Sequence, residues 1–340
     1  MGISMKNGIA LAASEINKAG GILGKQIEIE ERDDEAKNER GGQILQELIN
    51  QKKVVAIFGP VNTGVADAST RYSQEAKIPH IITVSAGAKV NELFADYPDN
   101  YVFRIAANDY IQSEMIVNEA INVRGFKRPA LLCDETNYGQ SGRSKMEAAL
   151  EKLGIKPVYV GKFKIKDVDM TPQLKEAKNS NADVLFVYGI GPELAATVNS
   201  MDRLDWKVDV LGGWTLSMRS FMDNATGKNA DDATTPQTFI PTAVTREKEK
   251  KFLADYYAMF KVDKISSAVS AAQGYDALYF YKLAVEQAKS TEGNLVKMAL
   301  EDLQTPYEGV TNFYDKPFSK TNHEAIDIAK VKMARIKDIK

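Results

Sequence analysis

The sequence predicts an α/β protein built from two runs of βα units. Three observations carry this. Helix-period and strand-like segments alternate along most of the chain. The strand-like segments are short apolar runs, such as Val54-Val55-Ala56-Ile57-Phe58 and Val184-Leu185-Phe186-Val187, as expected of parallel strands covered on both faces. Finally, a length of 340 residues suggests two domains at about 150 residues each.

Taken in order, residues 5–18 read as a helix with Ile9, Ala12, Ala13 and Ile16 on one face, stopped by Gly20 and Gly21. Residues 27–31 read as a strand, and Asp33-Asp34-Glu35 as the acidic cap of a helix over 36–50. A strand at 54–58, a helix at 64–74, a strand at 80–84 and a helix at 111–123 follow. Strands at 130–133, 157–160, 184–187 and 208–211 alternate with helices at 141–153, 171–178 and 192–201. Residues 218–241, rich in Asn, Asp and Thr, read as a polar crossing or surface region. Helices at 246–260 and 268–288 and a final strand at 328–336 complete the pattern.

Composition narrows function by exclusion. Lys plus Arg is 44 and Asp plus Glu is 46, so the net charge of −2 provides no field for nucleic acid or an anionic membrane. With one cysteine, Cys133, and two histidines, His80 and His323, neither a disulfide nor a His/Cys metal site is expected. No apolar run reaches the roughly 18 residues of a membrane span. Met1-Gly2-Ile3-Ser4-Met5-Lys6-Asn7 does not read as a secretory signal.

The sharpest local signal is Phe58-Gly59-Pro60-Val61-Asn62-Thr63-Gly64-Val65, an apolar strand entering a Gly-bounded loop and then a helix. Backbone N–H groups at such a helix start favour an anion, and Thr63 adds a hydroxyl. Val65 and Ala66 stand where a P-loop carries Lys and Ser/Thr, which disfavours a triphosphate and leaves a small carboxylate; a capped turn without ligand is the plain alternative. A second small-residue loop, Thr83-Val84-Ser85-Ala86-Gly87-Ala88-Lys89, follows the next strand. Gly189-Ile190-Gly191-Pro192 lacks the third glycine of a dinucleotide fingerprint. Tyr138 and Trp214 are aromatics at strand ends, and core packing competes with a pocket role for each. Cys133 reads as core, and His80 belongs to no recognisable catalytic motif, so no cofactor, metal or catalytic residue is expected.

The chain resembles the periplasmic substrate-binding proteins of ABC transporters for branched-chain amino acids, of the leucine/isoleucine/valine type. The resemblance rests on 7–12 with Glu15-Ile16-Asn17-Lys18-Ala19-Gly20-Gly21-Ile22-Leu23-Gly24, Asp33-Asp34, Ala56-Ile57-Phe58-Gly59-Pro60, Phe103-Arg104, Asn137-Tyr138-Gly139 and Gly274-Tyr275-Asp276-Ala277. It implies two Rossmann-like lobes with parallel sheets, joined by three crossovers around a ligand cleft, with lobe one at 1–108 plus 241–320 and lobe two at 109–240 plus 321–340. It further implies a carboxylate-binding hydroxyl at Thr63 beside Asn62, a ligand-touching carbonyl among Ser85, Ala86 and Gly87 (Gly87 foremost), and a lobe-two aromatic at Tyr138.

Three positions depart from the family pattern. Lys89 stands where amino-acid binders carry a threonine that meets the α-ammonium, Trp214 where they carry the acid that pairs with it, and Gly191 in place of an aromatic contact. A buried ammonium without a carboxylate is costly, so these departures point to a carboxylate lacking an α-ammonium, such as an aromatic or keto acid. A branched-chain or other apolar amino acid is the alternative. The family's leading strand and any export signal precede the point where this chain opens, so a misplaced start or a truncation is expected, with an extracytoplasmic location and a membrane permease as partner. A ligand-sensing receptor domain and an enzyme on two α/β lobes are weaker readings.

Overall fold

The computed structural model describes all 340 residues. Helix α1 (Gly2–Lys18) ends where Gly20 and Gly21 take positive φ, as the sequence predicts. The expected strand at 27–31 does not form: these residues pair with no other strand and are largely exposed. Their backbone is held instead by Asn17, whose Oδ1 accepts from Ile27 N at 2.7 Å while its Nδ2 donates to Ile27 O at 3.0 Å. Nor do the acidic residues cap a helix from Ala36. Asp33 and Asp34 accept from the N–H groups of Glu35 and Ala36, which both have positive φ, and α2 (Asn38–Asn50) starts beyond this turn.

Strand β1 (Ile57–Phe58) is shorter than the apolar run that contains it. Only β2 pairs with it, so the other edge is open and Val55 is 47% exposed rather than covered on both faces. Then come α3 (Thr63–Glu75), β2 (His80–Ile82), α4 (Lys89–Glu92), β3 (Val102–Arg104) and α5 (Asp109–Asn118), the last running into a π-helical turn at Glu119–Val123. The regular alternation continues through β4 (Pro129–Asp134), α6 (Asn137–Lys152), β5 (Tyr159–Phe163), α7 (Thr171–Asn179), β6 (Val184–Tyr188), α8 (Pro192–Arg203) and β7 (Asp209–Gly212).

The segment expected to be a polar surface crossing is structured. It carries short helices α9 (Arg219–Met222) and α10 (Lys228–Asp232) and a buried strand, β8 (Thr234–Gln237). The polar side chains that suggested a surface serve as internal hydrogen-bond partners: Thr235 Oγ1 donates to Gly213 O and Gln237 Nε2 to Trp214 O. Helices α11 (Glu247–Phe260), α12 (Ala268–Ala288) and α13 (Gly293–Glu301) follow, then β9 (Tyr307–Glu308), β10 (Phe313–Tyr314), β11 (Lys332–Arg335) and α14 (Ile336–Ile339).

Two compact units result, Met1–Ala106 with Val244–Asp327 and Ala107–Ala243 with Ile328–Lys340, each assembled from non-contiguous stretches. The first holds a parallel sheet in the order β1-β2-β3 and the small antiparallel pair β9/β10. The second holds a six-stranded sheet in the order β11-β8-β7-β6-β4-β5, parallel except for β11. Its core is built on Leu132, Phe163, Leu185, Val187, Leu216 and Phe221, all at most 1% exposed. In open parallel sheets of this kind, ligands bind beyond the carboxyl ends of the strands. The expected site residues sit there in both units.

Candidate functional site

In the first unit, the loop after β1 turns sharply through Gly59 (φ +107°) and a cis Gly59-Pro60 peptide before α3 begins. Asn62 is the N-cap in extended conformation and makes no side-chain cap bond. Thr63, the first helical residue, is buried, and the Ser85 hydroxyl from the loop after β2 donates to its Oγ1 at 3.4 Å. The two predicted loops therefore meet at a pair of hydroxyls on the N-terminus of a 13-residue helix. Hydroxyl donors and a helix dipole together suit a carboxylate.

The absence of a side chain at Gly87 is what allows this approach. A Cβ there would lie 2.1 Å from Thr63 Cγ2 and 3.1 Å from Thr63 Oγ1. Ser85, Ala86 and Gly87 are all buried, whereas Lys89 is exposed at the start of the short α4. The Gly87 carbonyl, foremost among the expected ligand contacts, accepts from Arg104 Nη1 at 2.7 Å and from Val90 N at 3.3 Å.

His80 braces the same region from behind. Its Nε2 lies 2.6 Å from Gly59 O and its Nδ1 2.8 Å from Ser73 Oγ. A carbonyl only accepts, so Nε2 carries the proton; Ser73 Oγ, which faces Nδ1, also lies 2.7 Å from Thr70 O. Full burial pushes the imidazole down to about 4 despite the bond to Gly59, so the ring is neutral at physiological pH.

In the second unit, Tyr138 lies in the first turn of α6, whose start Thr136 caps by accepting from Gly139 N. The Tyr138 ring packs against Tyr188 with centroids 4.7 Å apart. Its buried hydroxyl sits beside those of Thr215 and Tyr188 without a well-formed hydrogen bond, and burial together with Asp109 drives it well above the usual tyrosine range. Trp214 opens a short 3-10 turn after β7 and is 7% exposed; Gln112 Oε1 accepts from its N–H. Gly191 is the N-cap of α8 with φ +75°, a conformation other residues rarely adopt, so the backbone itself accounts for this glycine.

Sequence reasoning missed the acids that accompany these residues. Asp109, at the start of α5, is fully buried and accepts from the Tyr188 hydroxyl at 2.6 Å. Asp134, closing β4, is held by Thr136 through N–H and hydroxyl; its Oδ2 makes no well-formed bond, and burial raises its carboxyl. The available signal was a single acidic residue closing an otherwise apolar strand. Nowhere do three or more His, Cys, Asp or Glu side chains converge in a way that could hold a metal ion.

The profile of the family described as "Periplasmic binding protein" matches residues 1–338. The chain belongs to the periplasmic binding protein family. A Leu/Ile/Val-binding protein of Rhizobium johnstonii is 27% identical over 309 residues, covering 88% of this chain and 79% of that one. A branched-chain amino acid transporter substrate-binding protein from Streptococcus pneumoniae, solved with isoleucine, superposes with a TM-score of 0.85 at 23% identity, covering 100% of this chain and 92% of that one. An ABC-transporter solute-binding protein of Rhodopseudomonas palustris, solved with 3,4-dihydroxy benzoic acid, gives 0.81 at 20% identity, covering 95% and 85%. The type I periplasmic binding protein fold expected from the sequence is thus the observed one, and no helix of this family member is long and apolar enough to cross a membrane.

Proposed function

We propose that the protein is the extracytoplasmic solute-binding component of an ABC importer, and that it captures a small carboxylate and delivers it to a membrane permease. The observation that carries this reading is the buried Thr63 and Ser85 hydroxyl pair on the N-terminus of α3. On this reading the carboxylate is taken up by the hydroxyls of Thr63 and Ser85, with Gly87 giving the room for their close approach. The two histidines and the cysteine have structural surroundings: His80 holds Gly59, His323 stacks on Phe103, and Cys133 is buried in β4. This supports a protein that holds its ligand without transforming it.

The ligand we infer is an aromatic or keto acid without an α-ammonium, because the resemblance sets the buried Trp214 where amino-acid binders carry the acid that pairs with an ammonium. A branched-chain or other apolar amino acid is the second reading. It is favoured by the buried carboxylates of Asp109 and Asp134 beside Tyr138, which are a source of counter-charge for an ammonium. Thermal unfolding with benzoate, 4-hydroxybenzoate, 4-methyl-2-oxopentanoate, leucine and isoleucine separates the two. Ligand at 100 times its Kd adds about 2.7 kcal/mol of stability, a clear upward shift in Tm. Shifts with the acids and none with leucine or isoleucine are expected; the reverse pattern rejects the ammonium-free ligand.

Thr63→Val keeps the shape of the side chain and removes the hydroxyl. With a hydrogen bond to a charged group worth about 1.5–3 kcal/mol, affinity for the carboxylate is expected to fall by roughly 10- to 100-fold. Titration calorimetry reads this directly. An unchanged Kd with an intact fold removes Thr63 from the site.

A further inference from the structure

One buried charge has no part in the ligand contacts above. Arg104 closes β3 and is 1% exposed, yet its guanidinium is fully engaged on two sides. Nε and Nη2 form a forked pair with Glu324, at 2.9 Å to Oε2 and 2.5 Å to Oε1. Nη1 points the other way, into the loop after β2, at 2.7 Å to Gly87 O and 3.4 Å to Ser85 O.

Glu324 is itself oriented from several directions. Asn91 Nδ2 donates to its Oε1 at 3.0 Å, and its own N–H donates to Asn322 Oδ1 at 3.0 Å. The backbone around it runs parallel to the end of β3: Arg104 N donates to His323 O at 2.8 Å and Ala325 N to Arg104 O at 2.9 Å. The shape of loop 85–88 is therefore tied to a segment about 220 residues later in the chain.

We propose that Arg104 is the positioning residue of the ligand-binding loop, and that Glu324 fixes the direction of its fork. The inference rests on the reading that this loop binds the ligand. A buried ion pair is a weak source of stability compared with apolar residues of the same volume. What a guanidinium supplies that an apolar residue cannot is directed donors in a rigid plane, here aimed at the two alternate carbonyls of one loop. With both carbonyls turned toward Arg104, the stretch from Ser85 to Ala88 has its backbone direction set before ligand arrives. The Ser85 hydroxyl and the Cα of Gly87 then lie against Thr63. Preorganisation of this kind raises affinity by removing the ordering cost of binding.

Arg104→Lys and Glu324→Gln test this. A lysine ammonium is a point charge and cannot span both the carboxylate and the loop carbonyls. Glu324→Gln keeps Arg104 and weakens its anchor, so it carries the same readouts if Arg104→Lys does not fold. Two measurements are made on the full chain. The first is the Kd for whichever of benzoate, 4-hydroxybenzoate and leucine binds the wild type most tightly. The second is amide hydrogen exchange of residues 83–90 in ligand-free protein.

Expected are a Kd at least tenfold weaker for Arg104→Lys and exchange at least tenfold faster at 85–88, with α12 unchanged. A Kd within twofold of wild type, with 85–88 still protected, overturns the proposal, even if the urea midpoint falls, because a merely structural role lowers only the midpoint. If the wild type binds none of the three probes, the carboxylate reading fails by itself. The exchange measurement then still decides whether Arg104 holds the loop, and unchanged protection at 85–88 overturns the positioning role.

Discussion

Replacing Asp276 by alanine is expected to lower the free energy of unfolding by about 3–5 kcal/mol, because a buried donor left without an acceptor costs about 1–3 kcal/mol and this change breaks a whole buried network. Asp276 lies inside α12 and has no exposed surface. Its carboxylate accepts four hydrogen bonds: from the Tyr307 hydroxyl at 2.9 Å, Val310 N at 2.7 Å, Thr311 N at 2.8 Å and Thr311 Oγ1 at 2.5 Å. Burial raises its carboxyl, and these donors pull it back. Alanine leaves all four donors buried without an acceptor and frees the loop that carries β9 and β10 from the helix. Asp276→Asn tests the mechanism, since it keeps the volume and one acceptor oxygen but turns an NH2 group toward donors; an intermediate loss of about 1–3 kcal/mol is expected. Urea unfolding at pH 7 measures both, with the exposed Asp263→Ala as a control expected to stay within about 0.5 kcal/mol. A loss below 1 kcal/mol for Asp276→Ala means that water or a rearranged loop serves those donors.

The βα rhythm was legible because its cues are local. The apolar runs of β4 and β6, the Gly20-Gly21 stop and the Gly-bounded entry to α3 each announce themselves within about ten residues. What escaped depends on long-range pairing. Residues 27–31 have a strand's composition, but a strand exists only where a neighbouring ladder accepts it, and here Asn17 takes its place. The Thr and Gln of 234–237 look like surface until the partners across the sheet supply their hydrogen bonds.

The candidate site divides the same way. Thr63, Ser85 and Gly87 come together because each follows a strand of one parallel sheet, a relation readable from strand–loop–helix order. Asp109 and Tyr188 are 79 residues apart and Arg104 and Glu324 are 220 apart, and no single segment marks them as partners. Arg104 appears in the sequence reading only within the Phe103-Arg104 stretch of the family resemblance, and its role required knowing which carbonyls it faces.

Acidification is expected to weaken the fold through His80, in the window between about pH 6.5 and pH 4. In the unfolded chain the imidazole titrates near 6.5, whereas burial holds it at about 4 in the folded protein. As pH falls through this window the unfolded state binds the proton first. Stability fully present above pH 6.5 is therefore lost progressively as the folded value is approached. The difference in pKa corresponds to about 3 kcal/mol at the acid end, at roughly 1.4 kcal/mol per unit. Direction matters here because a histidine that gains an anionic partner would do the opposite and stabilise on acidification. Neither neighbour of this ring is anionic: Gly59 offers a carbonyl and Ser73 a hydroxyl. His80→Gln retains a donor for Gly59 and cannot titrate. Urea unfolding of wild type and His80→Gln between pH 7.5 and 4.5 should therefore give curves that converge as pH falls, the variant's pH slope being the shallower. Parallel stability curves, with a constant offset across the range, would show that the ring does not titrate between its folded and unfolded values and that the burial seen at His80 is not what sets the acid limit of this fold.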